Sequence, residues 1–458
     1  MIQVVLISTY DLGRQPFGLA SPAAWLRREG AKVACLDLSV ERLNEEEVKS
    51  ADLVAFYLPM HTATRIAVRL AERVKRLNSD AHLCFYGLYA SMNESFLRRL
   101  GAEAILGGEY EAGLTSLVQR LSQRPAGAGN IHQTEPVVSL AKQRFLVPDR
   151  NGLALLSKYA RLNLGNGESR NIGYTEASRG CKHLCRHCPI VPVYQGRFRI
   201  VERDVVLADI GQQVAAGAEH ITFGDPDFFN GIGHALALVR SLHQEHPHLT
   251  YDVTIKIEHI LKYAKHLPTL RQTGCLFITS AVESIDDRVL AILDKGHTRN
   301  DFIQALRLCR EAELILNPTF VAFTPWTSVE AYQGLLALLA ELDLVDHVAP
   351  IQLAIRLLIP AGSKLLEIPE VRRMAGQFDE SVLVYPWRHK DPRVDRLQQE
   401  VQALIQKGTA RGESRREIFS KVWALAEGAS SSSLRPLAHA TEWTGRASIP
   451  YLTEPWYC

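Results

Sequence analysis

The stretch Glu176-Ala-Ser-Arg-Gly-Cys181-Lys-His-Leu-Cys185-Arg-His-Cys188-Pro189 holds three cysteines spaced Cys-x3-Cys-x2-Cys within one short loop. Three thiols this close point to metal, because a loop of that length cannot give each of them a separate packing role. Four cysteines close an ordinary iron–sulfur cluster, so three leave one iron open. Two other readings stand beside this one. A structural zinc site would take His183 or His187 as its fourth ligand, but such sites pair short Cys-x2-Cys units from two places and no second unit exists here. A disulfide with a spare cysteine is at odds with a reducing compartment.

The spacing of Cys181, Cys185 and Cys188 matches CxxxCxxC, and here the chain resembles the radical SAM superfamily. The resemblance implies a [4Fe–4S] cluster on these three residues. It implies that the open iron is chelated by the amino and carboxylate groups of S-adenosylmethionine, which reduction cleaves to a 5′-deoxyadenosyl radical. The residue before the third cysteine is usually aromatic in that family; His187 is a mild departure.

The chain has 458 residues, room for two or three domains, and its 47% apolar content can fill a sizeable core. A net charge of +2 offers no argument for a nucleic-acid or anionic-membrane partner. The opening Met1-Ile-Gln-Val-Val-Leu-Ile reads as a strand and not as a signal peptide. No apolar run approaches the ~20 residues of a membrane span, so the expected location is cytoplasmic. Cys35, Cys84, Cys275 and Cys309 sit in apolar patterns and read as buried hydrophobes.

Residues 1–122 alternate apolar runs (Val4–Ile7, Lys32–Leu36, Leu53–Tyr57, His82–Tyr86, Ile105–Leu106) with helical stretches. The expected fold class is α/β, here a doubly wound parallel sheet with its ligand site at the carboxyl ends of the strands. Glycine turns stand at those ends, among them Gly87-Leu-Tyr-Ala90 and Gly107-Gly108-Glu-Tyr-Glu111. This resembles the cobalamin-binding domain that precedes many radical SAM domains, which implies cobalamin as a further cofactor, with Gly107 and Gly108 beside it. The Asp-x-His-x-x-Gly cobalt-ligand motif is absent, since Asp11-Leu-Gly13 has no histidine two places on. His61, water or nothing would then occupy the lower face; the plainer role for His61 is a polar residue at a helix start.

Residues 123–170 read as a linker and connector packing across both domains, with Arg161-Leu-Asn-Leu-Gly-Asn-Gly167 as loop. Strand–helix alternation over 171–368 gives six strand candidates: Ile172–Ala177, His220–Phe223, Asp252–Ile257, Leu276–Thr279, Ile315–Ala322 and Ile351–Leu358. This matches the partial (β/α)6 barrel expected for the superfamily, with chemistry at the carboxyl ends. Several polar groups stand there. Phe223-Gly224-Asp225-Pro-Asp227 occupies the place of the family motif that meets the SAM amino group; Asp225 or Asp227 would accept from the ammonium, or else merely cap a turn. Lys256 ends the next strand. Glu283, at the end of an apolar strand, resembles the glutamate that approaches SAM, and a buried carboxylate needs a partner. Arg356 has a fork suited to clamping a carboxylate, or pairs with a helix acid. Residues 369–458 form a helical extension ending in Ile449-Pro-Tyr-Leu-Thr-Glu454-Pro-Trp-Tyr-Cys458, apolar for a tail and expected to fold back on the body. That tail resembles a radical SAM subgroup ending in Cys-Sec-Ala-Glu-Pro or Cys-Cys-Ala-Glu-Pro. The resemblance implies a selenoprotein whose chain continues through a selenocysteine codon after Cys458, which would be a catalytic thiol; the plainer alternative is a natural end in an exposed cysteine.

The resulting expectation is a radical SAM enzyme that activates an unreactive C–H bond, with methyl transfer as the outcome if cobalamin binds. Its partners would be a small-molecule or peptide substrate and an electron donor such as flavodoxin or ferredoxin. Alternatives are a cobalamin-free radical SAM enzyme forming C–S or other bonds, and a non-catalytic metal-binding or electron-transfer protein.

Overall fold

The computed structural model describes residues 1–123, 133–429 and 449–454. The apolar runs of the first part become five parallel strands, β1 (Gln3–Ser8), β2 (Lys32–Asp37), β3 (Leu53–Tyr57), β4 (His82–Tyr86) and β5 (Ala104–Gly108). Their order is β2-β1-β3-β4-β5, and β6 (Val138–Ser139) from the connector adds alongside β5. β3 and β4 are buried along their whole length, as strands covered on both faces must be. One face is covered by α1 (Phe17–Arg28) and α6 (Glu111–Ser122), whose Leu19, Leu26, Leu114 and Leu117 pack on Leu6 and Tyr86. The other is covered by α2 (Glu45–Lys49), α3 (His61–Leu77), α4 (Leu88–Met92) and α5 (Glu94–Arg99), through Val48, Val74, Ala90 and Leu97. The segment after β4 is thus not an open glycine turn: Gly87, at φ +105°, starts α4 directly.

The connector is more ordered than its composition suggests. Arg161–Asn163, expected as loop, is β7, and hairpins antiparallel onto β8 (Ser169–Thr175). Gly165 and Gly167, both at positive φ, supply the turn. The connector also ties the two sheets together: Arg27 pairs with Asp149 at 2.8 Å and Arg150 with Asp209 at 2.7 Å.

The cysteine loop follows β9 (Ser178–Gly180), leads into α7 (Ile190–Tyr194), and returns as β10 (Phe198–Ile200), antiparallel to β9. Beyond it come α8 (Arg203–Ala215), β11 (His220–Phe223), α9 (Ile232–Glu245), β12 (Thr250–Thr254), α10 (Ile257–Lys262), α11 (Leu267–Gln272) and β13 (Cys275–Glu283). Then follow α12 (Asp287–Leu293), α13 (Arg299–Glu311), β14 (Ile315–Phe320) and α14 (Val329–Glu341). Strands β8, β11, β12, β13 and β14 are parallel and adjacent in that order, a curled half-barrel. The sixth run, Ile351–Leu358, is not a regular strand. It opens as a 3-10 turn (Pro350–Leu353) and meets its neighbour through one bridge, Phe323–Arg356. The Gln352 side chain accepts from the Phe320 amide at 3.0 Å, in place of a ladder carbonyl.

After α15 (Pro369–Met374), α16 (Pro392–Ala410) and α17 (Arg415–Gly428) close the outside of the half-barrel, with Leu397, Val401, Phe419 and Val422 in its core. The tail does fold back: β15 (Tyr451–Leu452) pairs antiparallel with β7, and Glu454 accepts from the Tyr10 hydroxyl. Cys458 lies outside the described residues, as does most of the 123–130 linker. Cys35, Cys84, Cys275 and Cys309 are buried free thiols. Among the described residues, no helix is long and apolar enough to cross a membrane.

Candidate active site

The carboxyl ends of both sheets border one cavity of about 410 Å³. The first sheet contributes Asp11 and Arg14 after β1, Tyr57 and Met60 at the end of β3, Tyr89 in α4, and Gly108. The half-barrel contributes Cys181, Cys185, Cys188, Gly224, Asp225, Asp227, Lys256, Glu283, Lys295 and Arg356.

The cysteine loop is held from three sides. Gly180, at φ +74°, has Tyr194 and the Arg197 carbonyl where a Cβ would go. The Lys182 amide donates to Asn230 Oδ1 at 3.3 Å, and Cys181 Sγ lies 4.0 Å from the same oxygen. The Arg186 guanidinium donates to the Ile292 carbonyl at 2.8 Å, fixing the loop on the end of α12. All three thiols are free and stand on the cavity wall. Burial raises the pKa of Cys181, and burial with the neighbouring Cys185 pushes Cys188 to about 12. Three convergent soft donors fit a cationic iron cluster.

Glu283 ends β13 at a register shift against β14, with φ +69°, a strained conformation for a residue with a side chain. The twist turns its carboxylate to His187 Nε2 at 3.0 Å and to the Lys295 ammonium at 3.4 Å. Burial alone would raise its pKa, but Lys295 and His187 outweigh burial and hold it at about 2. His187 Nδ1 is buried without a hydrogen-bond partner. Lys295 feels the Cys185 and Cys188 sulfurs as well as Glu283. A buried cation therefore stands beside two cluster thiols, on a carboxylate held in a strained turn.

The turn after β11 takes the capping alternative. Asp225 accepts from the Ala177 amide at 2.9 Å and the Ser178 hydroxyl, so its carboxylate braces the strand end leading into the cysteine loop. Asp227 caps the following 3-10 turn at the Phe229 amide, and meets His183 Nε2 at 3.2 Å and His259 Nδ1 at 2.6 Å. Both carboxylates are thus engaged within the protein, while Gly224, Asp225, Pro226 and Asp227 all line the cavity. A Cβ on Gly224 would collide with the Tyr174 hydroxyl. His183, Asp227 and His259 stand close enough to hold a metal ion. The Lys256 ammonium, however, lies 3.0 Å from His183 Nδ1. An ammonium can only donate, so Nδ1 accepts and Nε2 carries the proton given to Asp227. Lys256, His183 and Asp227 form a hydrogen-bond relay, and both nitrogens of the proposed zinc ligand His183 are occupied.

Three residues singled out in the sequence are held within the protein here. Arg356 is no free clamp: its fork is spent on Asp395 at 2.6 Å and the Trp387 carbonyl at 2.6 Å, and its guanidinium stacks on the Trp387 ring. His61 is absent from the cavity lining, because Nε2 is bound to the Val382 carbonyl at 2.7 Å. Gly107 faces Ser91 and the connector, leaving only Gly108 of that pair at the cavity. The acids of the same turn do something unforeseen. Arg179, two residues before Cys181, is buried and pairs with Glu109 at 3.3 Å, Glu111 at 2.7 Å and Glu176 at 2.7 Å. Its guanidinium also lies over the rings of Phe17, Tyr110 and Phe145. The Gly-Gly-Glu-Tyr-Glu turn thus clamps the first sheet to the cysteine loop. Neither Arg179 nor Lys295 was singled out as a site residue; Arg179 joins nearby Glu176 to Glu109 and Glu111, 70 and 68 residues away.

A family profile described as the Radical SAM superfamily matches residues 175–324. No curated protein sequence matches the chain. Among solved structures, the fold is similar to that of the cobalamin-dependent S-adenosylmethionine radical enzyme OxsB with aqua-cobalamin bound. The identity is 16%, the match covers 89% of this chain and 67% of that one, and the TM-score is 0.69. It is also similar to the radical S-adenosylmethionine methyltransferase TsrM from Kitasatospora setae, with cobalamin and a [4Fe–4S] cluster bound. There the identity is 19%, the coverage 75% and 74%, and the TM-score 0.58. Identities this low establish likeness of fold. The matched profile, with the cysteine loop inside it, identifies residues 175–324 as a radical SAM domain, of an enzyme whose cofactors are a [4Fe–4S] cluster and S-adenosylmethionine.

Proposed function

We propose that the protein is a cobalamin-dependent radical SAM enzyme that activates an unreactive C–H bond, with methyl transfer to that carbon as its outcome. The single observation behind this reading is the shared cavity: three cysteine thiols on the half-barrel side stand opposite the carboxyl edge of a doubly wound sheet. Cys181, Cys185 and Cys188 hold the cluster, which when bound supplies the electron that cleaves SAM. The backbone of Gly224–Pro226 receives the SAM ammonium, while Asp225 keeps that strand end in place. Glu283, fixed by Lys295 and His187, supports the SAM side of the site. Cobalamin, when bound, would carry the methyl group. The first-sheet edge suits a large planar ligand, with Met60, Leu88, Tyr89 and Gly108 offering apolar and backbone contacts. Its lower face would meet no histidine from position 61. OxsB and TsrM have cobalamin bound on this fold.

The division of labour follows the chain: 1–122 for cobalamin, 123–170 as connector, 171–368 for SAM and radical chemistry, and 369–458 as cover. The electron comes from a flavodoxin or ferredoxin, in a reducing cytoplasm. One observation favours the cobalamin-free alternative: the connector strand β6 and Ser139 fill the space over Gly107 and Gly108. Anaerobic reconstitution with iron and sulfide, then SAM and dithionite, tests the main reading. Iron–sulfur absorbance and 5′-deoxyadenosine are expected, and Cys181→Ala, Cys185→Ala or Cys188→Ala should abolish both. Hydroxocobalamin should remain with the protein through gel filtration; its loss there would leave the cobalamin-free enzyme.

A further inference from the structure

We propose that the outer face of the cysteine loop is the docking surface for a small acidic protein that delivers one electron, a flavodoxin-type carrier. The proposal rests on the radical SAM reading, in which each SAM cleavage consumes one electron that must enter from outside.

Between Glu176 and Glu202 the chain has no acidic residue, yet it carries Arg179, Lys182, Arg186, Arg197 and Arg199. Arg179 is buried in the clamp described above. Lys182 and Arg197 are exposed, and Arg186 and Arg199 are half-buried. The whole chain is nearly neutral at +2, so this is a local asymmetry. Apolar groups lie among the charges. Leu184 is 54% exposed and Ile200 44% exposed, two of the few large hydrophobic residues so open among the described residues.

These residues are contiguous. Leu184 and the Lys182 carbonyl both border Gly196. The Lys182 ammonium sits 4.9 Å from the centre of the Phe198 ring, and Phe198 and Ile200 meet at Gly231. The patch is one layer of chain away from the cluster ligands. Leu184 stands between Cys181 and Cys185, whose thiols line the cavity, while Leu184 faces solvent. Successive Cα atoms are ~3.8 Å apart, so this is a short way from solvent to the cluster site.

An apolar centre with a charged rim is the anatomy of a transient protein interface. The rim is positive, so the partner is negative, and long-range attraction raises the encounter rate in a salt-dependent way. The step balances simply: the carrier's flavin hydroquinone gives up one electron and becomes the semiquinone, and the cluster gains that electron.

The test uses the reconstituted full-length holoenzyme and follows 5′-deoxyadenosine formation with two reductants: flavodoxin hydroquinone at low and raised ionic strength, and excess dithionite. Lys182→Glu/Arg197→Glu should slow the flavodoxin-driven reaction at least tenfold and remove its salt dependence, with the dithionite-driven rate unchanged. Ile200→Ser should slow only the flavodoxin arm, and the salt dependence should survive. A double variant as fast as wild type with flavodoxin, or slowed equally with both reductants, overturns the proposal while leaving the radical SAM reading intact. Wild-type protein that makes no 5′-deoxyadenosine with dithionite overturns the reading and the proposal together.

Discussion

Glu283→Gln isolates the charge held at the strained end of β13. Glu283 and Lys295 are 8% and 4% exposed, so their attraction is little screened. The substitution keeps the shape but leaves the Lys295 ammonium buried without its counter-ion. Breaking a buried pair from one side costs about 3–5 kcal/mol. At about 2–4 °C per kcal/mol for a unit of this size, the melting temperature of the apo protein should fall by about 6–20 °C. Glu283→Gln/Lys295→Met removes both charges and should recover most of that loss, because a paired buried charge is roughly interchangeable with apolar groups. SAM binding, read by equilibrium dialysis on the reconstituted protein, should stay weak in both variants. The pair also has a pH signature. The folded pKa of Glu283 is depressed from 4.5 to about 2. Its contribution is therefore present above pH 4.5 and lost as pH falls through about 2. Glu283→Gln should lack that acid-side loss. A single variant that melts like wild type, or a double variant no more stable than the single, would refute the ion-pair account of this residue.

Arg179→Met should be more damaging still, since it strands Glu109, Glu111 and Glu176; denaturant titration should show both sheets destabilised, by at least ~3 kcal/mol. Arg179→Lys should rescue only partly, because an ammonium cannot serve three carboxylates as a planar fork does. Gly224→Ala should displace Tyr174 and reduce SAM affinity while iron–sulfur absorbance after reconstitution persists. Asp11 runs opposite to Glu283: burial raises its folded pKa from 3.8 to about 7, so its contribution is full below pH 3.8 and lost as pH rises through about 7. Asp11→Asn should flatten the fall in stability over that window in a series of thermal melts.

The architecture was legible because it rests on local periodicity. β3 and β4 match the apolar runs Leu53–Tyr57 and His82–Tyr86 residue for residue. The cysteine loop was legible because its three thiols are neighbours in sequence. What escaped depends on partners far along the chain. Asp225 and Asp227 read as ligands for an ammonium or as turn caps, and their bonds to Ser178 and His183 are not visible in the local sequence. Arg356 had two readings, a clamp or the partner of a helix acid, and Asp395, on a helix beyond the barrel, meets the second. Ile351–Leu358 has the composition of a strand, yet Gln352 supplies from its side chain the bond a ladder would supply. Arg161–Asn163 was hidden by a glycine-rich turn that in fact joins two strands.

The Arg179 clamp also bears on how the chain is made. Glu111 and Arg179 are 68 residues apart, so every strand of the first sheet from β1 to β5 leaves the ribosome before the cation that neutralises its buried acids. At ~5–20 residues per second, the gap is about 3–14 s. Through that interval the nascent sheet has no counter-charge for Glu109 and Glu111 and must leave their turn in water or take up protons there. Final closure of the first sheet thus waits on synthesis of the loop that binds the cluster, and the two halves of the active site mature in one step.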